Sequence, residues 1–139
     1  MKKIFVCFGI AMVLIAGAAY ADVVIIANKN VQETSLSPDV LQEIFLGKRV
    51  QWKDNSKISF VLIKNEELHE VFLKTYIKKS SSQFKSYWKN MVFTGQGSTP
   101  TSFETPKEII DYVSNTPGAV GYIESGDAKG TNIKTISIE

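Results

Sequence analysis

The chain has 139 residues, with 16 Lys or Arg, 14 Asp or Glu, one His and one Cys. This length suits one domain with its own hydrophobic core and leaves no room for two. The absence of a basic block argues against a nucleic-acid partner, because phosphate-backbone binding needs clustered Lys and Arg. One His and one Cys are too few ligands for a zinc site, so we expect no metal and no cofactor.

The first 21 residues have the pattern of a secretory signal peptide. Lys2–Lys3 is the positive region, Ile4–Ala16 is almost wholly apolar, and Ala19–Ala21 has small residues at both ends, as a cleavage site does. The alternative is a retained N-terminal anchor, but the apolar run is shorter than the roughly 20 residues that cross a bilayer. We expect cleavage after this segment, a mature chain of residues 22–139 without a membrane span, and a periplasmic or secreted location.

Removal of the signal peptide changes the charge and the cysteine content. Loss of Lys2 and Lys3 reduces the 16 basic residues to 14, which equals the number of acidic residues, so the mature chain is formally neutral. Cys7 lies in the apolar run and is lost as well. The mature chain therefore has no disulfide, and its core alone must stabilise it.

The mature part alternates predicted strands and helices. Four segments are predicted strands: Val23–Ala27, Ile58–Ile63, Ala119–Ile123 and Asn132–Ile138. Four helices are predicted: one capped by Ser37 and ended by Gly47, one from about Glu66 to Ile77, one after Ser80–Ser82, and one begun by Thr105 and ended before Asn115. This order predicts an α/β fold, with a mixed, mainly parallel sheet flanked by helices. The last strand alternates apolar and polar residues, which is typical of an edge strand.

Few residues of the chain suit catalysis. His69 lies one residue past the apolar face of its helix and is expected to face solvent, and no Gly-x-Ser-x-Gly elbow accompanies it. Glu66, Glu67 and Glu70 could do acid–base chemistry, but in the first turns of a helix they more simply complement the helix dipole. We therefore predict that the chain is not an enzyme.

The best candidate for ligand contact is the loop Gly95–Thr99. Gly95 and Gly97 could let backbone N–H groups turn toward an anion, and Ser98 and Thr99 add hydroxyl donors. The loop lacks the Lys and the spacing of a P-loop, so an ordinary connector remains the alternative.

The two tryptophans could stack on a ligand or a partner. Trp88 fits the apolar face of its helix, which favours packing in the core. Trp52 lies in a polar connection, and it is equally compatible with packing and with a partner surface.

Three segments together resemble the periplasmic phosphate-binding proteins of ABC importers. Leu36–Lys48 followed by Trp52 is similar to a helix and turn of that family with the pattern IFLGK…W, and Thr116–Ile123 is similar to its PGAIGY turn and strand. Ile58–Phe72, between them, corresponds to a strand, ligand loop and helix. The resemblance implies one lobe of a type II periplasmic-binding-protein fold, whereas the full-length proteins hold the anion between two lobes.

The resemblance fails at the ligand loop. Where the family has Arg-x-Asp-Gly-Ser-Gly-Thr, this chain has Leu62–Leu68, without the arginine, the glycines or the hydroxyls. Lys64 and Asn65 could replace some of the lost donors, but Glu66 and Glu67 would repel an anion there.

The resemblance to the phosphate-binding proteins, together with the absence of that family's ligand-loop residues, leaves two candidate functions. The first is phosphate-type solute binding, with phosphate or a similar small anion as ligand and an ABC permease as partner. The second is a periplasmic protein-interaction module that has lost ligand binding, with Trp52 on its partner surface.

Overall fold

The computed structural model describes residues 22–139, and the predicted signal peptide lies outside them. The six strands are β1 (Val23–Ala27), β2 (Ser35–Leu36), β3 (Ser59–Ile63), β4 (Thr101–Phe103), β5 (Ala119–Glu124) and β6 (Lys134–Ile138). The four α-helices are α1 (Pro38–Phe45), α2 (Glu66–Phe72), α3 (Ser81–Phe93) and α4 (Pro106–Asn115). A π-helical segment, Leu73–Ile77, continues α2, and a 3-10 turn, Ser125–Ala128, precedes β6.

The strands form one mixed sheet in the order β2-β6-β1-β5-β3-β4. The pairs β2–β6, β3–β4 and β3–β5 are parallel, and β1 is antiparallel to both β5 and β6. The predicted mixed, mainly parallel α/β sheet is confirmed.

The helices begin where the sequence places their caps. The Ser37 side chain accepts a hydrogen bond from the Val40 N–H at 3.2 Å, and Thr105 does the same for Glu108. Ser80 and Gln83 form a reciprocal capping box at the start of α3. Each cap satisfies a backbone donor that the first helical turn leaves free.

Two short strands were not predicted. β4 lies just after the loop Gly95–Thr99, and it forms because Thr101 pairs in parallel with Val61 of β3. β2 pairs with β6 through Ser35 and Ser137. The prediction that the last strand is an edge was wrong, since β2 covers it and leaves β4 at the opposite edge of the described sheet.

An aromatic cluster joins the helices to one face of the sheet. The ring of Tyr122 on β5 stacks on Phe72 of α2 at 3.8 Å between centroids, and Phe45 of α1 meets Phe72 at 4.8 Å. On the opposite face α4 packs closely over Gly121, where a Cβ would lie 3.3 Å from Ile109 Cγ2. The sheet is therefore covered on both faces, and α2 and α3 are held beside the end of β3.

Candidate functional site

An open groove of about 960 Å³ lies between helices α2 and α3 and the ends of strands β3 and β4. Leu62 and Ser102 are register partners in the parallel β3–β4 pair, so their side chains face the same side of the sheet and both line the groove. Phe84 and Trp88 of α3 complete its apolar floor. The volume is at the upper end of the range found for small-ligand pockets.

Two large apolar side chains stand at the rim of the groove. Phe93 is the last residue of α3 and is 90% exposed, and Val92 beside it is 43% exposed. Isolated apolar side chains on a surface are common, but two adjacent ones at the mouth of an apolar groove form a contiguous patch of the kind that marks interaction sites. Their sequence signal is the apolar run Met91–Phe93 at the end of α3.

Lysines surround this apolar surface. Lys64 lies at the end of β3, and Lys85 and Lys89 lie on α3. Lys64 is 4.0 Å from Glu104, and both side chains are well exposed, so this pair contributes little to stability. Glu66, on α2, is the acidic residue of the groove wall.

His69 lines the groove and is half-buried, so the prediction that it faces solvent was wrong. Its Nδ1 lies 2.5 Å from the hydroxyl of Tyr122, which also accepts the Ile63 N–H at 3.3 Å. The edge of its ring meets Phe84 at 5.6 Å between centroids. The contacts with Tyr122 and Phe84 hold this side chain inward.

Burial sets the protonation of this histidine–tyrosine pair. Burial lowers the pKa of His69, and the negative charge of Glu66 opposes the shift only partly. Burial also raises the pKa of Tyr122, so its hydroxyl keeps its proton. With a neutral imidazole, the hydroxyl donates to Nδ1 and the ring proton lies on Nε2. The pair is thus a neutral hydrogen-bonded unit at the base of the groove.

The backbone donors predicted for an anion are used elsewhere. The N–H of Gly95 donates to the carbonyl of Val92 at 3.1 Å, and those of Gln96 and Gly97 donate to the carbonyl of Met91 at 2.9 and 3.2 Å. These bonds cap the C-terminus of α3, whose partial negative charge repels anions. The prediction that Gly95 and Gly97 offer free amides to a ligand was wrong.

The remaining residues of this loop have different surroundings. Gly97 is needed for packing, because a Cβ there would lie 3.0 Å from the Trp88 ring. Ser98 is exposed and does not line the groove, whereas Thr99 does. Of the predicted loop, only Thr99 reaches the groove.

The other predicted residues also differ in whether they line the groove. Lys64 lines the groove, but the side-chain oxygen of Asn65 accepts the Leu68 N–H at 3.2 Å and caps α2. Trp52 is only 4% exposed and donates its indole N–H to the Gly118 carbonyl at 3.0 Å, so the prediction of a partner surface at Trp52 was wrong. Trp88 packs as predicted and donates to the Phe45 carbonyl at 3.2 Å.

The sequence profile of the PBP superfamily domain matches residues 17–137 of the chain. The chain belongs to the PBP superfamily. No curated protein matches it by sequence.

Several solved structures share the PBP fold of this chain. An ABC-type phosphate transport receptor from Vibrio cholerae is 19% identical with a TM-score of 0.58, and the match covers 84% of this chain and 46% of the receptor. PstS from Borrelia burgdorferi is 20% identical with a TM-score of 0.57, and the match covers 85% of this chain and 47% of PstS. A Clostridium perfringens protein solved with bound phosphate is 15% identical with a TM-score of 0.66, covering 84% of this chain and 44% of that one. At these identities the likeness establishes the fold.

The chain spans about half the length of these solved structures. The prediction of a single-lobe relative of the phosphate-binding proteins is confirmed. Within this PBP domain, no group of three or more His, Cys, Asp or Glu residues between positions 22 and 139 could hold a metal ion. None of the helices described in that range is long and apolar enough to cross a membrane.

Proposed function

We propose that this chain is an exported, non-enzymatic binding module that recognises a protein surface through the groove between α2, α3 and the β3–β4 edge. This proposal rests mainly on the apolar floor and exposed apolar rim of the groove, together with the internal hydrogen bonds of the Gly95 and Gly97 amides that were predicted to hold an anion. We place the module in the periplasm or outside the cell, after cleavage of residues 1–21 as a signal peptide, with residues 22–139 forming one domain.

The hydrogen bonds of the Gly95–Gly97 backbone support a protein ligand over a free anion. A phosphate ion needs several converging donors that cost no rearrangement. Release of these amides would leave the C-terminal carbonyls of α3 without partners. In addition, Glu66 lines the groove and would repel an anion that approached Lys64.

The environment of His69 supports a non-catalytic role. It is the one histidine of the chain, and its Nδ1 is bound to the Tyr122 hydroxyl, which burial keeps protonated. A tyrosine in this state is a poor nucleophile and a poor base at neutral pH. The solved relatives are named as transport receptors or binding proteins, which agrees with a binding role.

The second candidate function is phosphate-type solute binding in uptake, with an ABC permease as partner. The three lysines around the groove favour it, since Lys64, Lys85 and Lys89 could hold an anion as point charges. Phosphate calorimetry separates the two candidates, because the first predicts no saturable heat.

Site-specific photo-crosslinking tests the proposed function. A photoreactive amino acid replaces Phe93 in the full-length chain, which is expressed in cells that export it, and Val50, 61% exposed and outside the groove, is the matched control position. We expect a discrete protein adduct at position 93 and none at position 50. Equal labelling at both positions, or none at either, would contradict the proposal.

The mass of the same purified protein should correspond to a chain that begins at Asp22, and an intact N-terminus would contradict the proposed cleavage.

A further inference from the structure

We propose that the surface that fills the groove is a second copy of this chain. Two chains pair about a two-fold axis, groove against groove, and Phe93 of each inserts over the apolar floor of the other's groove. This inference rests on the proposed function, in which the groove is the binding surface, and it names the partner.

Each chain carries both halves of such a contact. The side chain of Phe93 is at the rim and almost fully exposed, so it does not fill the groove of its own chain. The floor it would cover, formed by Leu62, Phe84 and Trp88, is on the same chain. In a two-fold pair each copy gives one aromatic side chain and receives one, so the contact closes at two copies. An aromatic side chain in an apolar pocket is the usual energetic centre of an interface.

The charges on the two walls of the groove are also self-complementary. Lys85 and Lys89 lie on the α3 wall and Glu66 lies on the α2 wall, with the exposed Glu67 next to it in the sequence at the start of α2. None of these four side chains forms an ion pair with any residue in the described part of the chain. A two-fold axis that turns α3 of one copy toward α2 of the other places lysines opposite glutamates on both sides.

Any other binding partner would be complementary to only part of this surface. A foreign acidic segment would pair with Lys85 and Lys89 but would face Glu66 with a like charge. A small anion would meet the lysines and leave Phe93 in water. A second copy supplies an apolar side chain and charges of both signs at once.

Sedimentation equilibrium tests the pairing directly. The 139-residue chain is expressed and the protein is purified in the form that the cells produce. We expect a reversible monomer–dimer equilibrium. Phe93→Ala should raise the dimer dissociation constant by about tenfold or more, whereas Val50→Ala, which removes another exposed apolar side chain outside the groove, should leave it unchanged.

Exchanging the charges of the two groove walls tests whether dimerisation depends on the proposed two-fold contact. The variant Lys85→Glu/Lys89→Glu has two acidic walls, and the variant Glu66→Lys/Glu67→Lys has two basic walls. Each alone should be monomeric at concentrations where the wild-type chain is dimeric, and an equimolar mixture should form heterodimers. Lys53→Glu, at an exposed position outside the groove, is the control and should dimerise like the wild type. Circular dichroism melts check that each variant is folded.

Three results would overturn the inference: a wild-type chain that stays monomeric, dimerisation unaffected by Phe93→Ala, or folded charge variants that do not combine. The same experiments distinguish failure of this inference from failure of the proposed function. If the chain is monomeric but forms an adduct with a different protein at position 93, the pairing is wrong and the groove is still a protein-binding surface. If the chain is monomeric and forms no adduct, both the pairing and the proposed function are wrong.

Discussion

At the scale of single residues, Gly118 lies where the fold has no room for a side chain. It has φ +77°, and a Cβ at this position would lie 2.1 Å from the Lys57 carbonyl oxygen. Its own carbonyl accepts the indole N–H of Trp52. Gly118→Ala therefore forces a backbone shift at the junction of β3, β5 and the Trp52 loop, and we expect it to lower the free energy of unfolding by about 2 kcal/mol or more. Urea unfolding measures the change.

Gly126 provides the matched control for this substitution. No atom lies within 4 Å of its Cβ position, and its φ is outside the left-handed range. Gly126→Ala should leave the unfolding midpoint nearly unchanged. An equal loss in both variants would show that the strain assigned to Gly118 is wrong.

His69 predicts a dependence of stability on pH. Burial lowers its pKa in the folded chain below the ordinary value of 6.5. Between the two pKa values the unfolded chain binds more protons, so the contribution of His69 is fully present above 6.5 and is lost as pH falls through the folded pKa. We expect the unfolding midpoint in urea to fall from about pH 7 to about pH 5.

His69→Gln is the control for this pH dependence. It keeps a polar side chain near Tyr122 without a group that titrates in this range. The fall between the two pH values should become smaller in this variant. If the unfolding midpoint of the variant falls as much as that of the wild-type chain, the pH dependence comes from other groups and the prediction for His69 is wrong.

The sequence limits what could be foreseen for individual residues. The caps Ser37 and Thr105 were predictable because they depend on neighbours three residues away. The inward position of His69 depends on Tyr122, 53 residues later in the chain. Trp52 is buried by a contact with Gly118, 66 residues away. Contacts at such separations are not encoded in local periodicity.

At the scale of elements, the end of α3 and the loop after it decide what the groove can bind. The capping bonds of Gly95, Gln96 and Gly97 predict slow amide hydrogen exchange for these three residues. The Ser98 amide, which has no backbone acceptor among the described residues, should exchange faster. Exchange followed by NMR measures both. Millimolar phosphate should not change the rates, and faster exchange at Gly95–Gly97 than at Ser98 would contradict the cap.

Most of the helices and strands could be predicted from the sequence, but the two short strands β2 and β4 could not. Helices with capping residues and strands with β-branched runs were found because each carries its own signal. β2 has two residues and β4 has three, and both exist because a longer strand lies beside them. The loop Gly95–Thr99 has the composition of an anion loop, but the direction of its N–H groups follows from the helix end that precedes it.

At the scale of the whole molecule, the chain has the fold of one lobe of the phosphate-binding proteins, while several of its predicted ligand donors form hydrogen bonds within the fold. Of the predicted site, Lys64 and Thr99 line the groove, whereas Asn65, Gly95, Gly97, Ser98 and Trp52 do not. Four of the groove residues that sequence reasoning missed are on α3: Lys85, Lys89, Val92 and Phe93. A surface of apolar and mixed-charge side chains suits recognition of a protein better than of a free anion.

Isothermal titration of the purified protein with inorganic phosphate tests this account most directly. We predict no saturable heat up to millimolar phosphate, because the amides that would hold the ion are bonded to the carbonyls of α3. A saturable isotherm, weakened by Lys64→Ala and unchanged by Lys53→Ala, would contradict the account and establish an anion site in the groove.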